Sequence, residues 1–370
     1  MQPKSKSLIE IEKEEENPPS PIENLATKGS FFMPRATVRQ LTDSGDARQN
    51  DLFPYYYHTN SYSPLLKNLH YEVFSQIDDC QKLWQEFSPN TTLFDTWDFR
   101  LAFWKGYNHI PYFLVLKNNL ENFALLPLWY EKDKKKYTWF GSTWQEENKF
   151  LVKDPLFIPL LLNICPSPVI LNAISAELPL WIKKTIKLKP DDPKYILKLE
   201  TIKSADDYLS TLKKKKRHNF KRDRRIIEAQ NPHITFNNFA DFDNMVKLSM
   251  RRFEEKGEDT DWEDSRRVET FRQIIKLGQA GNSYKIRMIT VIIDNKVAAV
   301  DLIALFNDCY SPLKCGYDVK NFPGIGNFVN LLEIDDAINL GMKKMDFLEI
   351  GYGWKENWFE AIPLLQYEKK

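Results

Sequence analysis

The stretch that most restricts this chain is GYDVKNFPGIGNFVNLLEIDDAI, residues 316–338. Gly324 and Gly326 stand one residue apart behind Pro323, between an apolar run ending near Tyr317 and a segment that reads as an amphipathic helix. Glycines at a strand-to-helix junction let backbone N–H groups approach an anion, and the helix dipole behind them favours negative charge. The same spacing also makes a tight turn with no ligand, so the rest of the chain has to choose. A dinucleotide fingerprint is excluded, because G-x-G-x-x-G requires glycine at Val329 and too few residues follow for a βαβ unit. A P-loop is excluded by the lack of G-K-[ST] behind the glycines.

Upstream of the loop, YKIRMITVII, KVAAVDLIALF and CYSPLKCGYD are apolar runs separated by Asp294-Asn295 and Asn307-Asp308, dipeptides suited to hairpin turns. They predict an antiparallel meander, preceded by helices around 241–255 and 264–281 and followed, after the glycine loop and its helix, by a strand at KMDFLEIG. Between 69 and 200 the order is similar but reduced: helical DDCQKLWQEF and TWDFRLAFWKGY, then strand-like PYFLVLK, NFALLPLWYE and KYTWFG. The fold class is therefore α/β in layers. Residues 1–65, rich in Pro, Ser, Asn, Glu and Lys, read as a disordered tail, 66–200 as a first unit and 201–370 as a second.

Composition narrows the function classes. A formal net charge of +1 over 370 residues gives no global field for nucleic acid or an anionic membrane, so electrostatic recognition has to be local. Cys80, Cys165, Cys309 and Cys315 show no C-x-x-C spacing and read as reduced thiols. The five histidines make no H-x-x-x-H pair, and no metal site is expected. The longest apolar run, LFIPLLLNICPSPVIL at 156–171, is too short to span a bilayer. No basic, then apolar, leader opens the sequence, which makes a cytoplasmic location the expectation.

Taken together, NTTLFDTWDFRLAFWKGY and FALLPLWYEKDKKKYTWFG in the first half, and KKKKRHNFKRDRRIIE, SMRRFEEKG, the strand ending GYD, AINLGMKKMDFLEIG and WKENW in the second, resemble the FemAB/CelD-like acyltransferases. The resemblance covers about residues 69–360 and implies tandem GNAT-like units, each a mixed, mainly antiparallel sheet flanked by helices. It further implies transfer of an acyl group from a thioester such as acetyl-CoA, or from an aminoacyl ester, to an amine or hydroxyl, with the second unit holding the donor and the first shaping the acceptor cleft. GNAT loops usually begin with Gln or Arg, whereas Val319, Lys320 or Asn321 fills that place here.

Acyl transfer needs donors aimed at a developing oxyanion and a route for the nucleophile's proton. In GNAT-like folds the last meander strand and the next strand splay apart around the thioester, so the resemblance implies the backbone around Cys315, Gly316 and Tyr317 as oxyanion donor and the N–H groups of Gly324, Ile325, Gly326 and Asn327 as pyrophosphate cradle. By the resemblance, Lys355 matches a lysine that stabilises developing charge; it can equally be an exposed lysine beside Trp354 and Trp358. Glu349 and Asp318 are candidate general bases and Tyr317 a candidate general acid, each weighed against a surface carboxylate or a packed tyrosine. Nine Lys or Arg face one acid, Asp223, between 213 and 225, and with Leu209, Leu212, Phe220 and Ile226 as an apolar stripe the run predicts one basic helix. Its Lys216, Arg217, Lys221 and Arg224 are candidates for coenzyme A phosphates, a phosphorylated acceptor or a tRNA backbone, the alternative being a solvated face. By the same resemblance, Arg251 and Arg252 are expected along the acceptor channel. Trp84, Trp97, Trp104, Trp129, Trp139 and Trp144 read mainly as core and otherwise as a stacking surface for a sugar.

Three functions follow. An acyl-CoA-dependent N-acyltransferase acting on a sugar or cell-envelope precursor leads, an aminoacyl-tRNA-dependent peptidoglycan transferase is the alternative, and an inactive GNAT-like binding module is the third.

Overall fold

The structure, a computed structural model, describes residues 68–370 apart from Thr143 and Tyr352, together with a short strand at Gly29–Ser30. The remainder of the expected tail lies outside the described residues. Strand β1 (Gly29–Ser30) pairs with β2 (His70–Phe74), and helices α1 (Ile77–Phe87) and α2 (Trp97–Tyr107) lead into a meander of β3 (Ile110–Lys117), β4 (Asn122–Glu131) and β5 (Lys136–Trp139). Then come the short β6 (Leu151–Val152), α3 (Phe157–Ile164), β7 (Val169–Ser175), α4 (Leu180–Thr185) and β8 (Lys189–Lys198). The second half runs α5 (Ala205–Thr211), α6 (Lys214–Glu228), β9 (His233–Phe236), α7 (Phe242–Lys256), α8 (Ser265–Ala280), β10 (Lys285–Ile293), β11 (Lys296–Phe306), β12 (Cys309–Tyr317), α9 (Ile325–Asn339), β13 (Lys344–Glu349) and β14 (Glu360–Lys369). This is a mixed α/β fold in which helices flank one large sheet.

The local signals formed as their chemistry requires. Asp294, Asn295 and Asn307 take positive φ of 50°, 60° and 51°, the left-handed geometry that lets two-residue turns connect β10 to β11 and β11 to β12. Strand β4 reads FALLPLW through its centre because both of its faces are covered. One apolar cluster lies under α1 and α2 and under α7 and α8, joining the halves, with α3 and α9 covering separate clusters. The halves meet closely where α2 passes α8: a Cβ on Gly106 would stand 2.0 Å from Thr270 Oγ1. Four of the six named tryptophans, Trp84, Trp97, Trp129 and Trp139, are packed in core, and Trp144 stacks on Phe103 at 5.7 Å and meets Phe271 edge-on at 5.2 Å.

The strand order is β1-β2-β3-β4-β5-β7-β14-β8-β13-β12-β11-β10-β9, with β6 beside β4. Strand β14 thus enters between β7 and β8, as in the pairs Leu364↔Ser175 and Ala361↔Tyr195, while β8 pairs with β13 through Met345↔Leu197. Each half completes the other's sheet. Each half also contains one parallel pair that separates almost at once: β5 meets β7 only at Tyr137↔Val169, and β12 meets β13 only at Cys309↔Lys344 and Tyr310↔Met345.

In the first half that opening is filled by the chain itself. Asn148 bridges to Ile174, its N–H donating to Ala173 O at 2.7 Å while its own carbonyl accepts from Ser175 N–H at 2.9 Å. The buried Arg100 guanidinium fixes this segment by donating to Asn148 Oδ1, Phe140 O and Phe94 O, at 2.8, 2.8 and 2.7 Å. The basic run is not one helix. Leu212 is extended and packs partly into the α9 cluster, dividing the run into α5 and α6, and the buried stripe of α6 is Phe220, Asp223 and Ile227 rather than the exposed Ile226.

Candidate active site at the parting of two strands

Beyond Tyr310 and Met345, Ser311–Tyr317 of β12 and Asp346–Glu349 of β13 no longer pair with each other. Asp318 N–H donates to Ala298 O on β11, and N–H directions alternate along a strand. The N–H groups of Cys315 and Tyr317 therefore face the opening, whereas that of Gly316 faces β11. Gly316 has a packing role instead, since a Cβ there would come 2.2 Å from Met245 O on α7.

The opposite wall is a distorted strand. Leu348 and Ile350 hold positive φ of 66° and 60°, a costly backbone for side chains of this kind, and the β13–β8 register slips between Asp346 and Glu349. Glu349, between them, is held through both of its backbone polar groups. Its N–H donates to Glu146 Oε2 at 2.6 Å, and its carbonyl accepts from Lys355 Nζ at 2.5 Å. Lys355 is buried in the turn Lys355–Asn357, not exposed beside Trp354 and Trp358.

Glu146 lies on the first-half loop between β5 and β6, and its neighbours fix that loop. Gln145 Nε2 donates to Gly141 O at 2.8 Å, and Glu147 accepts from Lys194 Nζ, which also donates to Asp346 at 3.3 Å. Nothing in the residues around 146 marks it as functional, because its partner is 203 positions away.

The electrostatics divide the acids into roles. Burial, helped by the Glu146, Asp191 and Asp192 charges, pushes the Glu349 carboxyl up to about 9, so it is protonated at neutral pH. It is then a proton donor rather than the base the sequence suggested, and its buried Oε1 has no hydrogen-bond partner. Burial also raises Glu146, but Lys355, the Glu349 N–H and Lys314 oppose it, leaving the group at about 7. Burial lowers Lys355, with nearby Glu146 and Asp346 working the other way.

Two other candidates are engaged elsewhere. Tyr317 O–H donates to Asp301 Oδ2 at 2.7 Å on the α9 side, and burial holds the phenol well above its ordinary range, so it is a poor acid. Asp301 is adjacent to Glu333 of α9, and burial raises both carboxyls. Burial also disfavours ionised Asp318, yet bonds from Asn321 and Arg251 outweigh it and hold the carboxyl below its usual range. Asp318 accepts from Asn321 N and Nδ2 and from Arg251 at 2.8 Å, so it ties the glycine loop to α7 rather than acting as a base.

At the loop itself Gly324 has φ +91° and forms the N-cap of α9 with no side-chain cap bond. Ile325 N–H is taken by Phe322 O at 3.1 Å, and Gly326 lets the helix lie against the Tyr317 ring. Asn327 Nδ2 donates to Asp223 Oδ2 at 2.7 Å, and a Cβ on Gly324 would stand 2.8 Å from Asp223 Cβ. A carboxylate of α6 thus sits beside the helix end expected to hold pyrophosphate. Phe220 stacks on Trp358 at 3.9 Å, so α6 crosses from the turn after Lys355 to the glycine loop. Of its expected contact residues, Lys221 and Arg224 pair with Asp206 at 3.2 and 3.1 Å and Arg217 donates to Ser210 O, while Lys216 has no ion pair among the described residues. Arg252 approaches Cys315, whose thiol burial pushes up to about 12.

A parallel strand pair thus parts beside a glycine-capped helix, with polar groups in the gap. Residues 214–356 match the family described as acetyltransferase (GNAT) domain. The chain is similar to FemX, at 11% identity over 80% of this chain and 97% of that one, with a TM-score of 0.54. It is also similar to a conserved protein of unknown function from Bacteroides thetaiotaomicron VPI-5482, at 10% identity over 80% and 99%, with a TM-score of 0.53. At these identities the likeness is one of fold. No curated protein matches the chain, and no helix among the described residues is long and apolar enough to cross a membrane.

Proposed function

We propose that the protein is an N-acyltransferase that moves an acetyl or related acyl group from acyl-CoA to an amine of a sugar or cell-envelope precursor, acting in the cytoplasm. The observation that carries this reading is the parting of β12 and β13 with Lys355 and the protonated Glu349 beside it. In this reading the donor carbonyl lies in the gap and the N–H groups of Cys315 and Tyr317 stabilise its oxyanion. Lys355 offsets the developing charge and Glu349 protonates the leaving group. With Ile325 N–H taken, the N–H groups of Gly324, Gly326 and Asn327 are the part of the cradle left for phosphate. Thermal unfolding with saturating acetyl-CoA tests the donor: a ligand at about a hundred times its Kd adds about 2.7 kcal/mol, which moves Tm by several degrees.

Asp223 favours a second reading. A carboxylate beside the α9 N-terminus, though offset by Arg222 at 2.7 Å, disfavours pyrophosphate there, and Lys213–Lys216 gather at the start of α6. An aminoacyl-tRNA donor held through its phosphates by those lysines needs no pyrophosphate cradle. Under this reading acetyl-CoA leaves Tm unchanged, and tRNA binding weakens steeply with salt. A protein that binds neither donor is the inactive module.

A further inference from the structure

Each group assigned so far except the acceptor's own amine lies in the second half, yet an amine acceptor arrives protonated and has to lose a proton before it can attack. We propose that Glu146, reaching across from the first half, is the general base that takes this proton. The inference rests on the acyltransfer reading above.

Glu146 meets the requirements of geometry first. One of its oxygens is 2.6 Å from the Glu349 N–H, and Lys355 binds the carbonyl of the same residue, so the carboxylate stands at the distorted part of β13 where the two strands have parted. Its loop is fixed by Gln145 and Asn148 hydrogen bonds and by the Glu147–Lys194–Asp346 ion cluster, which holds it against β8 and β13. Glu147 cannot substitute, since its carboxylate is committed to Lys194 and near Lys149. The groups facing Glu146 are Glu349 and Asp346 of β13, Lys314 of β12 and Lys355 of the following turn. With the two carboxyls driven apart, one poised near neutrality and one protonated, the pair divides into acceptor and donor of protons.

The protons balance. Glu146 takes one from the ammonium and later releases it to solvent. The neutral amine forms the new C–N bond, and as the bond to the thiolate or alkoxide breaks, the leaving atom takes the proton of Glu349. The remaining extra proton on nitrogen then returns to Glu349.

The test compares wild-type protein and Glu146→Gln at several pH values, with acetyl-CoA or a pool of aminoacyl-tRNA as donor and either glucosamine, lysine or hydroxylamine as acceptor. Hydroxylamine is unprotonated at neutral pH and needs no base. Expected are a rise in wild-type rate through about pH 7, and for E146Q a loss of about a hundred-fold in kcat with glucosamine or lysine, loss of that pH limb, and near-normal transfer to hydroxylamine. Equal loss with all three acceptors, or an unchanged rate and limb, overturns the assignment while leaving acyl transfer intact. Should E146Q fail to fold, a wild-type profile without an ionisation near neutrality overturns it equally. Wild-type protein inactive with both donors overturns the acyltransferase reading, and this one with it.

Discussion

At the scale of single residues, the site is governed by burial acting on carboxyls. A group whose folded pKa is raised binds a proton that the unfolded chain releases, so its stabilising effect is complete at low pH and is lost as pH rises. For Glu349 the window runs from its ordinary 4.5 up to about 9, and Glu146 adds to it up to about 7. The denaturant midpoint should therefore fall between about pH 5 and pH 9, and Glu349→Gln should flatten that fall; a midpoint that climbs over this range contradicts the assignment. Lys355→Met should lower turnover by about a hundred-fold or more with donor affinity unchanged, measured by steady-state kinetics and calorimetry. Gly324→Ala should destabilise by about 1–2 kcal/mol, because φ +91° is left-handed backbone and the new Cβ meets Asp223. The glycine turn ahead of α9 was legible in the sequence, since it belongs to a short motif, and so was the position of Lys355, though not its burial. Glu146 and Asp223 were not, because each acts on a residue more than a hundred positions distant and nothing near it in sequence reports the encounter.

At the scale of elements, α6 decides between donors. The sequence gives away its charge but not its role, for the helix begins only at Lys214 and spends Lys221 and Arg224 on Asp206. What remains exposed at its start is a lysine cluster, and what it turns toward α9 is a carboxylate. Asp223→Asn removes that negative charge from the helix end while keeping an amide for Asn327. If acyl-CoA is the donor, its Kd should fall about two- to five-fold, the effect of 0.3–1 kcal/mol for a charge at a helix terminus. No change in Kd places the phosphates elsewhere. The two meanders and β13 were legible, because Asn and Asp at the turns and apolar runs between them are local signals, whereas β2, β7, β8, β9 and β14 were not read as strands.

At the scale of the whole molecule, the two halves share more than a linker. The meander of each half could be read along the chain, but neither β8 nor β14 was read as a strand, and nothing local reports that each pairs into the other half's sheet. The exchange predicts a single cooperative unfolding transition, seen alike by tryptophan fluorescence and far-UV circular dichroism, with residues 66–200 and 201–370 each unable to fold when expressed alone. Two separated transitions would argue for independent units. The closing of β14 onto β7 also sets a timetable for biosynthesis. Ribosomes deliver Ser175 about 190 residues ahead of Leu364, a delay of roughly 10–40 s at typical elongation rates. For that interval the nascent chain shows an unpaired apolar strand edge, the kind of surface that recruits holding chaperones or seeds aggregation.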